Sequence, residues 1–187
     1  MKVLVIVDMQ TDFISGSLGT PEAQAIVPNV VNKIKEHKNT DTIILFTKDT
    51  HHEHYLDTPE GKKLPVPHCI KGTPGWSIEK SIASEFKASG YMTYSSKSVV
   101  NGRVLKPTFG SYDLLKILDD DEIEFDEIEL CGVCTDICVI SNAIMIKNFF
   151  PDVKVVVDAS CCAGVTPEKH AAALEVMKSC QIDVIGE

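Results

Sequence analysis

Residues 130–139 read LCGVCTDICV, and they mark the change of structure on which the predicted fold rests. They complete a candidate strand at 127–131, and a helical pattern follows over 136–150. Further strands are predicted at residues 3–7, 42–47, 91–94, 153–157 and 182–185. Helices alternate with them, one beginning at Pro28 and others spanning residues 112–118 and 167–180. This alternation predicts an α/β fold, with a parallel sheet covered by helices on both faces.

The composition indicates one globular domain over residues 1–187. Hydrophobic residues make up 44% and charged residues 24%, which excludes a disordered chain and a membrane protein. The chain has 18 Lys and Arg against 27 Asp and Glu, and this negative charge opposes binding to nucleic acid or to an anionic membrane. The first residues do not have the pattern of a signal peptide, and seven cysteines do not suggest a disulfide framework. We therefore expect a cytoplasmic protein with reduced thiols.

Chemically reactive side chains follow three of the predicted strands. Asp8 comes after the first strand, Asp49 after the second, and Cys138 lies in the segment after the strand at 127–131. Ligands of parallel α/β sheets bind at the carboxyl ends of the strands, where these residues meet. Taken alone, Asp8 is also an ordinary turn residue, and its convergence with a thiol is what favours a catalytic role.

Cys138 is the candidate nucleophile. If Thr135 caps the following helix, Cys138 takes the third helical position, where free backbone N–H groups and the helix dipole favour a thiolate. The same N–H groups can stabilise an oxyanion, and Asp8 is the natural proton acceptor. A small core residue on a buried helix face remains the alternative for Cys138.

Cys131 and Cys134 form a C-x-x-C motif, for which a redox dithiol and half of a zinc site are the alternatives. A structural zinc site needs a second ligand pair at short spacing, and the chain offers the adjacent Cys161 and Cys162 instead. Cys131 also completes an apolar strand. We therefore favour a core role, with thiol redox chemistry left open.

The long segment 49–75 shows no helical or strand period, and such a loop in a compact domain is usually functional. Asp49 and His51 lie two residues apart, so in an extended chain both can face one ion. Glu60 and His68 can complete a mixed nitrogen and oxygen shell suited to Zn²⁺, Mn²⁺ or Fe²⁺. A solvated His- and Glu-rich loop is the alternative.

These segments together resemble the isochorismatase-like cysteine hydrolases, and among them the nicotinamidases. Residues 5–13, VIVDMQTDF, are similar to the family's first strand and catalytic Asp, and residues 132–139, GVCTDICV, to its nucleophile motif. Residues 49–51 and 67–73 look like the metal-binding segments of nicotinamidases. The resemblance covers almost the whole chain. It implies a three-layer α/β/α sandwich around a mainly parallel, Rossmann-like sheet.

The resemblance also implies a catalytic Lys, for which Lys97 and Lys106 are the candidates. Lys106 is preferred, because an aromatic residue, small residues and a helix follow it, as they follow the family's Lys. Its expected role is electrostatic, since a cation beside Asp8 and Cys138 favours their charged forms.

The resemblance implies that the protein hydrolyses a small-molecule amide through a thioester on Cys138, and nicotinamide is the preferred substrate. The family further suggests a cis peptide between Val133 and Cys134, with an oxyanion hole formed by backbone N–H groups at Cys134 and Cys138. Phe13 is expected to form a wall of the substrate pocket.

The resemblance implies one divalent metal ion, with Zn²⁺ preferred over Mn²⁺ or Fe²⁺, bound by four side chains, of which Glu60 is the least secure. It also implies a homo-oligomer. Many nicotinamidases carry Trp where this chain has Thr50, and this difference leaves the substrate open. A metal-free cysteine amidase acting on another small amide or carbamoyl compound is therefore the alternative.

Overall fold

The computed structural model describes residues 1–38, 40–87, 99–100, 102–119 and 124–187, and a seven-stranded sheet lies at the centre of this part of the chain. The strands are β1 Lys2–Val7, β2 Thr42–Asp49, β3 Val99–Val100, β4 Arg103–Lys106, β5 Glu127–Val133, β6 Lys154–Ala163 and β7 Asp183–Ile185. Their order across the sheet is β3-β4-β2-β1-β5-β6-β7, and of these strands only β3 runs antiparallel to its neighbour. The mainly parallel sheet confirms the predicted α/β class.

Eight α-helices accompany the sheet within the described residues. They are α1 Thr11–Ile14, α2 Pro21–Ala25, α3 Val27–His37, α4 Pro59–Lys63, α5 Lys80–Lys87, α6 Tyr112–Leu118, α7 Ile140–Phe149 and α8 Pro167–Ser179. A 3₁₀ turn spans Tyr55–Asp57, and a π turn spans Thr135–Val139. None of the helices in these ranges is long and apolar enough to cross a membrane.

The helices form a layer on each side of the sheet. Helices α3 and α5 contact one another, and α3 packs on β2 and β6, whereas α6, α7 and α8 pack together on the other face. Strand β1 lies in the middle of the sheet, and all of Val3 to Val7 are fully buried. A strand covered on both faces is apolar throughout rather than alternating, as the sequence of β1 indicated.

The structure corrects several predicted elements. The predicted strand at 91–94 lies outside the described residues. Strand β4 was not predicted, because two of its four residues are cationic, and β6 continues to Ala163, beyond the predicted end at 157. The predicted helix at 136–150 begins instead as the π turn.

Thr135 is not the helix cap that the sequence suggested. Its hydroxyl pairs with Nδ1 of His170 at 2.8 Å, and Cys134 occupies the capping position. Cys138 is therefore the fourth residue of the turn rather than the third. A partner 35 residues away along the chain determines this difference.

Candidate active site

Three charged side chains meet at the carboxyl edge of the sheet. Asp8 directly follows β1, while Asp49 and Lys106 are the last residues of β2 and β4 and pair with each other across those strands. All three are buried. The parallel strand directions therefore bring together the two carboxylates that the sequence placed at one edge, with Lys106 between them.

Lys106 joins the proposed base to the proposed nucleophile. Its Nζ lies 2.6 Å from Asp8 Oδ2, 3.5 Å from Cys138 Sγ and 3.8 Å from Asp49 Oδ1. It also donates a hydrogen bond to the carbonyl oxygen of Thr108 at 3.1 Å. The structure thus assembles Asp8, Lys106 and Cys138 as one cluster. The other candidate, Lys97, lies outside the described residues.

Thr47 holds the Asp8 carboxylate in place. Its hydroxyl donates to Asp8 Oδ1 at 2.7 Å, and the backbone N–H of Asp8 donates to the same hydroxyl at 3.2 Å. Asp8 has a φ of 49°, a left-handed conformation that residues other than glycine rarely adopt. Sequence reasoning missed Thr47, although its position two residues before Asp49 places both on one face of β2.

The nucleophile turn is built on a close approach of two strands. Gly132 has a φ of 122°, and a Cβ there would lie 2.1 Å from the carbonyl oxygen of Val7, so no larger residue fits. The peptide bond between Val133 and Cys134 is cis, as the family resemblance implied. These features position the turn that carries Cys138.

Asn142 fixes the far side of the turn. Its Nδ2 donates to the carbonyl oxygens of Cys138 at 2.7 Å and Phe109 at 3.2 Å, while its Oδ1 accepts from the Ser111 backbone N–H at 3.0 Å. Asn142 was also missed. The available signal was its position four residues after Cys138, which places both on one face of a helix.

Burial controls the protonation of this cluster. Burial raises the pKa of the Cys138 thiol well above its usual value, and the charge of Lys106 opposes this rise. Burial likewise raises the pKa of Asp8 against the effect of Lys106. For Lys106, burial alone would lower the pKa, but the surrounding negative charge, first that of Asp8, outweighs it and raises the pKa. Lys106 is therefore a cation, whereas burial opposes the thiolate form of Cys138 that the helix terminus was expected to favour.

A second group of side chains lies beside this cluster. The possible ligand atoms of Asp49, His51 and His68 all lie within 4.8 Å of one another. Nε2 of His51 is 3.0 Å from Asp49 Oδ2, and Nε2 of His68 is 3.4 Å from the same oxygen. Glu60 Oε1 lies 3.6 Å from His51 Nε2 and 3.9 Å from His68 Nε2. The structure therefore brings all four predicted metal ligands together, with Glu60 at the edge.

The chemistry of these atoms fits a divalent metal ion. His68 Nδ1 lies 2.8 Å from the carbonyl oxygen of Val66, and a proton on Nδ1 leaves Nε2 with a free lone pair. His51 Nε2 is buried and has no hydrogen-bond partner among the described residues. Two imidazole nitrogens and a carboxylate oxygen facing one point are typical of Zn²⁺ and related ions.

One pocket of about 280 Å³ connects the two groups. Cys138 lines it together with Asp49, Glu60 and His68. Its apolar walls include Phe13, Leu18, Phe109, Val133 and Ile137. The Phe13 ring lies 5.5 Å from the ring of His68, centroid to centroid, which places it where a pocket wall was predicted.

The remaining cysteines form no disulfide and no zinc site within the described residues. All seven cysteines are free thiols. Cys131 is fully buried in the hydrophobic core. In the described part of the chain, Asp49, His51 and His68 form the one group of three or more metal-ligating residues.

Known proteins share this fold and sequence pattern. The family profile of the isochorismatase domain matches residues 2–186. Nicotinamidase/pyrazinamidase of Mycobacterium tuberculosis is 28% identical over 189 residues, covering 99% of this chain and 98% of the relative. The structure of pyrazinamidase/nicotinamidase from Streptococcus mutans aligns with a TM-score of 0.81 at 28% identity, over 99% of this chain and 100% of the other. Pyrazinamidase of Pyrococcus horikoshii in complex with zinc aligns with a TM-score of 0.74 at 26% identity, over 100% of this chain and 99% of the other.

Proposed function

Because the chain belongs to the isochorismatase family, we propose that it is a metal-dependent cysteine amidase that hydrolyses nicotinamide to nicotinate and ammonia. One observation carries this proposal: a single pocket is lined both by Cys138, which contacts Lys106, and by three of the four candidate metal ligands. A small amide bound there meets the nucleophile at one end and the ion at the other. The relatives named nicotinamidase and pyrazinamidase support the choice of substrate.

The chemistry begins with proton transfer from Cys138 to Asp8. Since burial opposes the thiolate form of Cys138, attack on the amide carbon requires a base, and Asp8 is the carboxylate that shares Lys106 with the thiol. The sulfur attacks, the C–N bond breaks, and Asp8 returns the proton to the departing ammonia. Water then hydrolyses the thioester and regenerates the thiol. Throughout, Lys106 balances the negative charge that moves between Asp8 and the sulfur.

The oxyanion of the tetrahedral intermediate needs hydrogen-bond donors, and we assign this role to the backbone N–H groups of Cys134 and Cys138. Both lie at the start of a helical segment, where backbone N–H groups point away from the helix without intrahelical partners. The position of Phe13 in the pocket wall supports stacking of its ring on a planar substrate.

Asp49, His51 and His68, with Glu60 at the edge, would hold one divalent ion, and the zinc-bound Pyrococcus relative favours Zn²⁺. When bound, the ion supplies a Lewis acid that orients the substrate ring. After chelation and reloading, we expect one Zn²⁺ per chain by elemental analysis, lost in His51→Ala and weakened about tenfold in Glu60→Gln. Glu53→Gln, an exposed carboxylate on the same loop, is the control and should bind as the unmodified chain does. Equal zinc binding in His51→Ala would contradict the assignment.

Ammonia release from nicotinamide tests the proposed function directly. The unmodified chain, Cys138→Ala and the control Cys180→Ala, which removes an exposed thiol, are compared after reloading with divalent metal. We expect release by the unmodified chain and by Cys180→Ala, and none by Cys138→Ala. Equal release by Cys138→Ala would overturn the thioester mechanism, and no release by any of the three would overturn nicotinamide as the substrate.

We also propose that the chain forms a homo-oligomer, which the family resemblance supports. Light scattering on the purified protein would test this, and a mass of 20.5 kDa would contradict it.

A further inference from the structure

A second pocket, of about 510 Å³, lies at the edge of the sheet near β4. Lys48 and Arg103 line it. Arg103 of β4 pairs with Phe46 of β2, and Phe46 lies two residues before Lys48, on the same face of that strand. The two cations therefore point to the same face of the sheet. Side chains alternate along a strand, so Lys48 lies on the opposite face from Asp49. The second pocket is therefore separated by the sheet from the proposed active site.

The lining of this pocket is basic. Three cations, Lys48, Lys80 and Arg103, border it, and none of the described residues that line it carries a carboxylate. A chain with a net charge of −9 thus has a pocket whose described lining is cationic and carries no acidic side chain.

Lys48 is the least solvated of the three. It is 5% exposed, and its Nζ lies 3.0 Å from the centroid of the Trp76 ring. No carboxylate oxygen lies within 4 Å of that Nζ in the part of the chain that the structure describes. Arg103 lines the same pocket and points to the same face of the sheet. A buried cation that faces an aromatic ring and a second cation lacks a counter-charge, which a bound anion would supply.

The wall that faces Lys48 is fixed in place. Trp76 Nε1 donates to Thr50 Oγ1 at 2.9 Å, and the carbonyl oxygen of Trp76 accepts from Gln10 Nε2 at 3.1 Å. Because Trp76 is held from two sides, this wall of the pocket is fixed before any ligand binds. Pre-formed pockets of this size are typical of small-molecule sites.

We propose that this pocket binds a phosphate group, carried either by inorganic phosphate or by a small phosphomonoester. The guanidinium of Arg103 and the two lysines place three positive charges around a doubly charged anion. Ser77 and Ser84 place hydroxyl groups in the same lining. The volume leaves room for the organic part of a small ester. This site does not depend on the proposed amidase function.

Calorimetric titration of the metal-loaded full chain at constant ionic strength tests the site, with inorganic phosphate and glycerol 3-phosphate as the two probes. Lys80→Ala removes an exposed cation of the pocket, and Arg103→Gln removes the guanidinium. Lys116→Ala is the matched control, an equal loss of charge at an exposed position of α6.

We expect the dissociation constant to rise about tenfold in Lys80→Ala and in Arg103→Gln, and to stay unchanged in Lys116→Ala. Tighter binding of glycerol 3-phosphate than of phosphate would identify an ester as the ligand, and the reverse order would identify inorganic phosphate. Failure of the unmodified chain to bind either probe would overturn the proposal. Equal affinities in Lys80→Ala, Arg103→Gln and Lys116→Ala would also overturn it, because the anion would then bind elsewhere, for example at the metal.

Discussion

The buried Lys106 and the partly buried Lys33 lie on opposite faces of the sheet, in similar clusters with different surroundings. Lys106 lies 2.6 Å from Asp8 and 3.8 Å from Asp49. Lys33, on α3, pairs with Glu129 of β5 and lies 2.7 Å from Asp158 of β6. In both clusters a cation is held between two carboxylates that come from different strands.

The clusters differ in what adjoins them. Lys106 ends a strand at the carboxyl edge, with the Cys138 thiol 3.5 Å away and a pocket beside it. Lys33 lies against the middle of two strands under a helix, where its further neighbours are Lys2, which also pairs with Glu129, and Ser160, which bonds to Asp158. We therefore expect the same ion pairing to serve catalysis in one place and stability in the other. Position along the strand decides which, since ligands reach parallel sheets at their carboxyl edge.

The largest expected effect follows from Lys106→Met. We expect kcat/KM for ammonia release to fall by about 10²- to 10³-fold, because the charges of the reacting groups lose their counter-ion. The free energy of unfolding should fall by about 3–5 kcal/mol, because Asp8 remains buried without a cation. Urea unfolding and steady-state kinetics measure the two effects. In the double variant Asp8→Asn/Lys106→Met stability should return while activity does not, and recovery of activity would contradict the catalytic role.

The opposite pattern is expected for Lys33→Met. The free energy of unfolding should fall by about 3 kcal/mol, less than for Lys106→Met because Lys2 still pairs with Glu129. The kcat/KM of the folded protein should stay within about twofold, since the cluster is remote from the pocket. Lys35→Met, at an exposed position of the same helix, is the control. A large loss of activity in Lys33→Met would end the distinction between the two clusters.

The sequence alone predicted more of the Lys106 cluster than of the Lys33 cluster. Asp8, Asp49 and Cys138 could be predicted because each follows an apolar strand, and strand ends converge. Lys106 came only from the family resemblance, because strand β4 is too short to show a period.

The Lys33 cluster could not be predicted, because Lys33 and Glu129 are 96 residues apart along the chain. Thr47 and Asn142 were missed because their spacing from Asp49 and Cys138 does not by itself show which group each side chain bonds.

The Lys33 cluster should also show in the pH dependence of stability. Burial alone would raise the pKa of Asp158, but hydrogen bonds from Lys33 and Ser160 outweigh it and lower the pKa. A lowered pKa in the folded state stabilises the fold above the unfolded value of about 3.9, and this contribution is lost as pH falls through the folded value. Asp158→Asn should therefore unfold at lower urea than the unmodified chain at pH 7. The difference between the two midpoints should narrow at about pH 3.

Asp152→Asn, at an exposed turn position, is the control for this pH effect. Its midpoint should follow that of the unmodified chain at both pH values. If the urea midpoints of Asp158→Asn and of the unmodified chain differed equally at pH 7 and at about pH 3, the carboxylate charge would contribute nothing to the stability of the fold.

The smallest expected effects follow from removing one hydroxyl group from each cluster. Thr47 donates to Asp8 and Ser160 donates to Asp158, both at 2.7 Å. Thr47→Val and Ser160→Ala should each lower the free energy of unfolding by about 1 kcal/mol, the usual worth of such a bond. Only Thr47→Val should also lower kcat, by about tenfold, because Asp8 loses the group that orients it.

The division between kcat and KM separates orientation of Asp8 from general loosening of the fold. Thr47 does not line the pocket, so KM should stay unchanged in Thr47→Val, and Thr47→Ser, which keeps the hydroxyl, should restore kcat. If Thr47→Val and Ser160→Ala lowered kcat equally, Thr47 would act only through stability. The two clusters would then differ in their lysines alone, and the hydrogen bonds around them would be interchangeable.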